Sequence, residues 1–199
     1  GMGANMNIGV ASMTAIILLT LSAGCGAAAP ESLVDDLESG PEPLLLDGFF
    51  TDWGDHQPGL IDPSEDGAED GLDFGELRIT NDDVYCYVYV DLGKQITLDE
   101  EPNFVLYLDL DADAGTGIKV EEVGAELVWD LGKRQGEHWF QGQRTSVFFP
   151  DLGFRVAPTV AASKFEMAFE RDATPYLDEL LFFASTVNVV LRDTSVDNG

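Results

Sequence analysis

Three aspartates alternate at positions 109, 111 and 113 in the segment LYLDLDADAGTG, residues 106–117. If the chain stays extended through Asp113, their carboxylates project to one side, about 7 Å apart at successive steps. Gly115 and Gly117 then allow a turn in which further oxygens converge. Hard cations such as Ca2+ are held by roughly six to eight oxygens from carboxylates, carbonyls and water. Asp109, Asp111 and Asp113 are therefore the candidate metal ligands, with Ca2+ as a structural cofactor. The alternative is a solvated hairpin turn whose aspartates cap backbone amides. An EF-hand is excluded: Ala114 holds the place of the required Gly and Val120 that of the bidentate Glu. A second acidic segment, DPSEDGAEDGLDFG at 62–75, could add oxygens, but its Gly and Pro content reads as a solvated loop.

Sugar recognition needs aromatic faces flanked by polar hydrogen-bonding groups. Tyr85, Tyr87 and Tyr89 form one aromatic stripe, and Trp139 beside His138 in the polar loop GKRQGEHWFQGQR, residues 132–144, is the other candidate. Arg134, Gln141 and Arg144 would assist Trp139. The ordinary alternative is that these aromatics are strand formers packed beneath loops, which is the reading for Trp53 and Trp129. Catalysis finds little support. His56 and His138 stand in unrelated contexts, and no HExxH, GxSxG, phosphate-binding loop or dinucleotide fingerprint is present.

The elements that must carry these residues are strands. Val84–Val90 (VYCYVYV) alternates with Val84, Cys86, Val88 and Val90 on one face and the three tyrosines on the other. Cys86 then reads as a small buried hydrophobe. Further strand candidates are Leu77–Thr80, Asn103–Leu110, Glu126–Leu131, Thr145–Phe149, Phe154–Val156, Lys164–Glu170 and Ser185–Arg192. The only convincing helix is Pro175–Leu181, opened by its proline. About eight strands with little helix predict an all-β fold, an antiparallel β-sandwich of immunoglobulin-like or jelly-roll-like kind.

Thirty-seven acidic side chains stand against 10 basic ones in 199 residues, a formal charge of −27. Such a surface repels phosphate backbones, which argues against nucleic acid as a partner and against charge-driven adhesion to anionic lipids. Residues 31–73 hold 14 of the acids and no base. At 45% hydrophobic and 10% aromatic the chain still has material for a core.

Residues 8–21 (IGVASMTAIILLTL) form an uncharged apolar run, shorter than the roughly 20 residues of a membrane span but suited to a secretion signal. The run is followed by Ser22-Ala23-Gly24 and then Cys25. This junction resembles the lipobox of bacterial lipoproteins. The resemblance implies lipidation at Cys25, export to the cell envelope and a membrane partner reached through the lipid. Gly26 rather than Asp after the cysteine implies an outer-membrane address. The organisation expected is a signal at 1–25, a flexible acidic tether at 26–43 and one sandwich domain at 44–199. With only Cys25 and Cys86 in the chain, a lipidated Cys25 leaves no disulfide.

The order of the strand motifs is similar to that of the family 9 carbohydrate-binding-module-like domains of the DOMON-like sandwich group. Leu46-Asp47-Gly48 with Asp52-Trp53 resembles the opening of that family, Ile79–Asp83 leading into VYCYVYVDLG its following strand, and LYLDLDADAGTG its strand and acidic turn. GAELVWDLG, KFEMAFE and the closing Arg192-Asp193 complete the likeness over about residues 44–193. The resemblance implies a glycan or polysaccharide partner and makes calcium a common companion. The function expected is a non-catalytic, lipid-anchored binding module for carbohydrate. The alternatives are a cell-surface structural or protein-interaction domain without a sugar site, and a polysaccharide hydrolase.

Overall fold

The structure, a computed structural model, describes residues 15–20, 44–55, 60–61, 74–100, 104–175 and 186–194. Its strands in chain order are β1 (Ala15–Thr20), β2 (Leu60–Ile61), β3 (Glu76–Asn81), β4 (Tyr85–Ile96), β5 (Phe104–Asp109), β6 (Ile118–Val120) and β7 (Val123–Ala125). They are followed by β8 (Leu127–Asp130), β9 (Gln135–Phe140), β10 (Gln143–Phe148), β11 (Arg155–Ala157), β12 (Ala162–Glu170) and β13 (Thr186–Asp193). All pairings are antiparallel. One sheet has the order β1-β13-β5-β8-β9-β10 and the other β11-β12-β4-β3-β2, while β6 and β7 form a separate hairpin. The protein is thus an antiparallel β-sandwich.

Strict alternation builds the interior. Cys86, Val88, Val90 and Leu92 of β4 face Leu106 and Leu108 of β5, Phe165, Met167 and Phe169 of β12, and Val187, Val189 and Leu191 of β13 in one continuous core. Trp129 of β8 is fully buried there, its ring centroid 5.0 Å from Phe154 and 6.0 Å from Phe169. Cys86 is a buried free thiol whose pKa burial pushes up to about 12. It is therefore chemically quiet at neutral pH.

Each sheet's outer face is covered differently. Over the five-stranded sheet runs the segment Leu44–Asp55, which buries Leu44 and Trp53 against Tyr87, Tyr89 and Ala168. Glu166, on the outward side of β12 and 1% exposed, fastens this strap. One carboxylate oxygen accepts the Gly48 amide at 2.7 Å and the other accepts the Trp53 indole N–H at 3.0 Å. Gly48 adopts φ +80°, a conformation that glycine takes without strain. The Asp47-Gly48…Asp52-Trp53 motif is therefore the part of the chain that closes this face. Over the six-stranded sheet the β6–β7 hairpin packs Val120 and Val123 against Val190 of β13 and Tyr107 of β5.

Two segments differ from expectation. Residues 132–144 read as a polar loop, yet they form most of the β9–β10 hairpin. The alternation there was hidden because the inward positions of β9 opposite Trp129 and Leu127 are Gly136 and His138, neither of them a typical apolar strand residue. Six residues of the apolar run, Ala15–Thr20, lie antiparallel to β13 in register Ala15↔Leu191 to Thr20↔Thr186. Cys25, His56, the acidic segment 62–73, the tether 26–43 and residues 176–181 of the expected helix lie outside the described residues.

Candidate functional site

The outward positions of β5, β8, β9 and β13 put a set of polar side chains on one sheet face. Asp109 ends β5 and pairs in register with Asn188 of β13. Glu126 immediately precedes β8, its amide bonded to the Leu108 carbonyl at 3.0 Å and its carbonyl accepting the Trp139 amide at 2.7 Å. Asp109, Asp111 and Glu126 each present a carboxylate oxygen within 4.8 Å of the others. Asp109 is 1% exposed and Glu126 4%.

Asp113, expected as the third ligand, is not brought into this group. Ala112 takes φ +58°, so the extended track ends before Asp113. Asp113 then accepts the Gly115 amide at 2.8 Å and so shapes the turn, as its own amide does by donating to Asp111 Oδ1 at 2.8 Å. Glu126 stands in its place. The turn presses so closely on β7 that a Cβ at Gly117 would meet the Ala125 carbonyl oxygen at 2.3 Å, and one at Gly124 the Thr116 carbonyl oxygen at 2.3 Å. These two glycines let the acidic turn lie down on the sheet beside Glu126.

Donors are too few for the acceptors gathered here. The Thr116 hydroxyl lies 2.8 Å from Glu126 Oε1, 2.9 Å from Asp111 Oδ2, 3.1 Å from Asp111 Oδ1 and 2.9 Å from the Asp113 carbonyl. A hydroxyl donates one proton, so it satisfies only one of the four. The Leu110 amide reaches Glu126 Oε2 at 2.8 Å and the Asn188 amide reaches Asp109 Oδ2 at 2.8 Å. Asp109 Oδ1 and Asn188 Oδ1 are buried with no hydrogen-bond partner. Buried acceptors of this kind cost free energy unless a proton, a water or a cation meets them. The donor set is all hard oxygen, which fits Ca2+ or Mg2+ and not a soft metal.

Burial is the main reason that the Glu126 carboxyl is pushed up from 4.5 to about 7. The Leu110 amide and Thr116 hydroxyl oppose the rise, and the charges of Asp111 and Asp109 add to it. An acid whose folded pKa lies above its unfolded one supports the fold while protonated. Glu126 therefore contributes stability below about pH 4.5 that is lost as pH rises through about 7, on the order of 3 kcal/mol in the cation-free protein. Chemical denaturation of chelator-treated protein at pH 5 and pH 8 measures this. The wild type is expected to lose more stability across that window than Glu126→Gln, and equal losses would contradict the assignment.

Beside the carboxylates lies a cavity of about 570 Å3 lined by Asp111, Gly115, Thr116, Gly117, Glu126, Trp139, Phe140, Gln141 and Gly142. Its size is in the range of small-molecule sites. The Trp139 indole N–H is buried and has no acceptor. Arg144, opposite Trp139 in the β9–β10 register, holds its guanidinium 5.7 Å from the ring centroid and pairs with Glu137. A second hollow of about 380 Å3 on the same face is lined by Tyr107, Val128, Glu137 and Phe148 among others.

The other sequence candidates fall elsewhere. His138 turns to the interior, 1% exposed, with both ring nitrogens unpartnered and its pKa lowered by burial. It is a core residue here and does not line the Trp139 cavity. Tyr87 and Tyr89 are each 4% exposed beneath the strap, and Tyr87 donates its hydroxyl to Asp82 at 2.8 Å. Tyr85 is half-buried at the edge of that cluster, under the Arg155 guanidinium at 5.1 Å. The tyrosine stripe is thus packing surface and not an open platform. Arg134 sits in the β8–β9 turn, about 17 Å of strand away from Trp139. Trp53 and Trp129 are core residues, as expected. Sequence reasoning missed Glu126 and Asn188. The outward phase of Glu126 was legible in the alternation of ELVWDL, but the register that sets it beside Asp109 was not.

The fold and this face define the class, a β-sandwich with an acid-lined cavity on the outside of its larger sheet. Comparison with protein-family models, with curated proteins and with solved structures finds no match for the chain.

Proposed function

We propose that the protein is an exported, lipid-anchored, non-catalytic binding module. It holds a neutral glycan in the Trp139 cavity, with Ca2+ or a similar hard cation at Asp109, Asp111 and Glu126. The observation that carries this reading is the cavity itself. Its lining combines the aromatic side chain of Trp139 with the carboxylates of Asp111 and Glu126 and the Thr116 hydroxyl. An apolar face beside convergent polar groups is what a pyranose, with its C–H and O–H surfaces, requires. The likeness of the strand motifs to the family 9 carbohydrate-binding-module-like group supports the same class, the Ser22-Ala23-Gly24-Cys25 junction supports lipid anchoring at Cys25, and Gly26 supports the outer membrane; such processing would take β1 off the β13 edge of the larger sheet.

Asp111 and Glu126 also resemble the close carboxylate pair of a retaining glycosidase, in which the carboxyl groups stand about 5 Å apart. Here one Thr116 hydroxyl touches both, and Asp109 crowds the same oxygens, so no room is left between them for a glycosidic bond. That crowding favours binding over hydrolysis.

A glycan array with the Ca2+-loaded protein tests the reading. Trp139→Ala is expected to weaken the array-selected glycan at least about tenfold, equivalent to about 1.4 kcal/mol, while the melting temperature changes little. An unchanged affinity would remove the cavity as the site. Mass spectrometry of the protein from its native envelope tests the anchor, with diacylglyceryl modification of Cys25 expected and an unmodified thiol contradicting it.

A further inference from the structure

The cation and the glycan would meet. We infer that the cation held by Asp109, Asp111 and Glu126 is itself part of the binding surface, coordinating two hydroxyls of a neutral, vicinal-diol-bearing sugar in the Trp139 cavity. This deepens the proposed glycan reading and rests on it.

Two of the three carboxylates are shared. Asp111 and Glu126 belong to the oxygen cluster and also line the 570 Å3 cavity, whereas Asp109 stands behind them against β13. The orphaned Asp109 Oδ1, in a side chain only 1% exposed, is the independent sign that the cluster awaits a ligand. On the sheet side the Asn188 amide and the Leu110 amide already occupy one oxygen each of Asp109 and Glu126, at 2.8 Å. Three carboxylates supply at most six oxygens, and those two amides take up one oxygen on each of two carboxylates. A hard cation seeking roughly six to eight ligands has, even with the Thr116 hydroxyl added, coordination positions left for oxygens arriving from the cavity side.

What completes it there is set by charge and shape. Three carboxylates and a divalent cation leave a net charge of about −1, in a protein of formal charge −27. Uronate and sulfate groups are repelled by that balance, whereas neutral hydroxyls are not. Adjacent hydroxyls on one ring can replace two coordinated waters together, and the ring's C–H surface then faces Trp139.

Terbium(III), a luminescent stand-in for Ca2+, reads the coordination shell directly. Its luminescence lifetimes in H2O and D2O count the waters on the ion in the intact native protein. Adding the neutral oligosaccharide selected by the array is expected to remove about two of them, and array binding is expected to fall at least tenfold in chelator. Asp109→Asn should lose the terbium signal. An unchanged water count with undiminished binding in chelator, still lost in Trp139→Ala, would overturn the inference and leave the cavity reading standing. Binding that needs Ca2+ but leaves the water count unchanged would also overturn it, making the cation a structural brace. No binding to any neutral glycan in Ca2+ would overturn both readings.

Discussion

Glu166→Ala is expected to lower stability by roughly 2–6 kcal/mol and the melting temperature by roughly 5–20 °C. Glu166 ties the Leu44–Asp55 strap to β12 through the Gly48 amide and the Trp53 indole. Removing it leaves the buried Trp53 indole and the half-buried Gly48 amide without that carboxylate, at about 1–3 kcal/mol for a fully buried donor and less for the other. Burial raises the Glu166 pKa, while the Gly48, Trp53 and Asp47 donors pull it down and the Asp52 charge raises it again. The carboxylate is therefore held by the strap as much as the strap is held by it. Glu166→Gln keeps an acceptor for one of the two donors and is expected to lose about half as much. Thermal melts followed by tryptophan fluorescence read both effects, because Trp53 would become solvated in the alanine variant. A Glu166→Ala protein that melts with the wild type would show that the strap is held without this carboxylate, by its apolar contacts and the Arg78 bond to the Trp53 carbonyl.

Chelation carries the second large effect. A ligand bound only by the folded state at about a hundred times its Kd stabilises by about 2.7 kcal/mol. For a chain of this length that corresponds to a fall of roughly 5–11 °C when chelator removes the cation. Added Ca2+ should restore the loss. Asp109→Asn should be insensitive to chelator, because it weakens the one ligand that lies behind the other two. A chelator-independent melting temperature in the wild type would remove the cation from the account.

The contrast between Asp113 and Glu126 shows how far the sequence reaches. The alternation in VYCYVYV, NFVLYLDL and KFEMAFE marked β4, β5 and β12 with their inward residues, because apolar side chains recur there with a period of two. The same alternation placed Asp109 outward correctly. It failed at Ala112, where a single positive φ ends the extended track and sends Asp113 into the turn. Nothing in composition marks a non-glycine residue for that conformation. Glu126 and Asn188 join the site through strand pairing across 17 and 79 residues of chain, a register that no local pattern contains. The tyrosine stripe taught the converse. Its outward phase was legible, but the strap that covers it is fixed by Glu166, 118 residues beyond Gly48.

The acidity of the chain also takes on a definite form. Among the described residues, Asp109 and Glu126 are buried close together and share too few donors. Isothermal titration of Ca2+ into chelator-stripped protein, wild type against Asp109→Asn, tests most directly that this face is a binding site. One strong equivalent in the wild type, absent from Asp109→Asn above a common background of weak surface binding, is the expected result. Identical isotherms for the two proteins would contradict it.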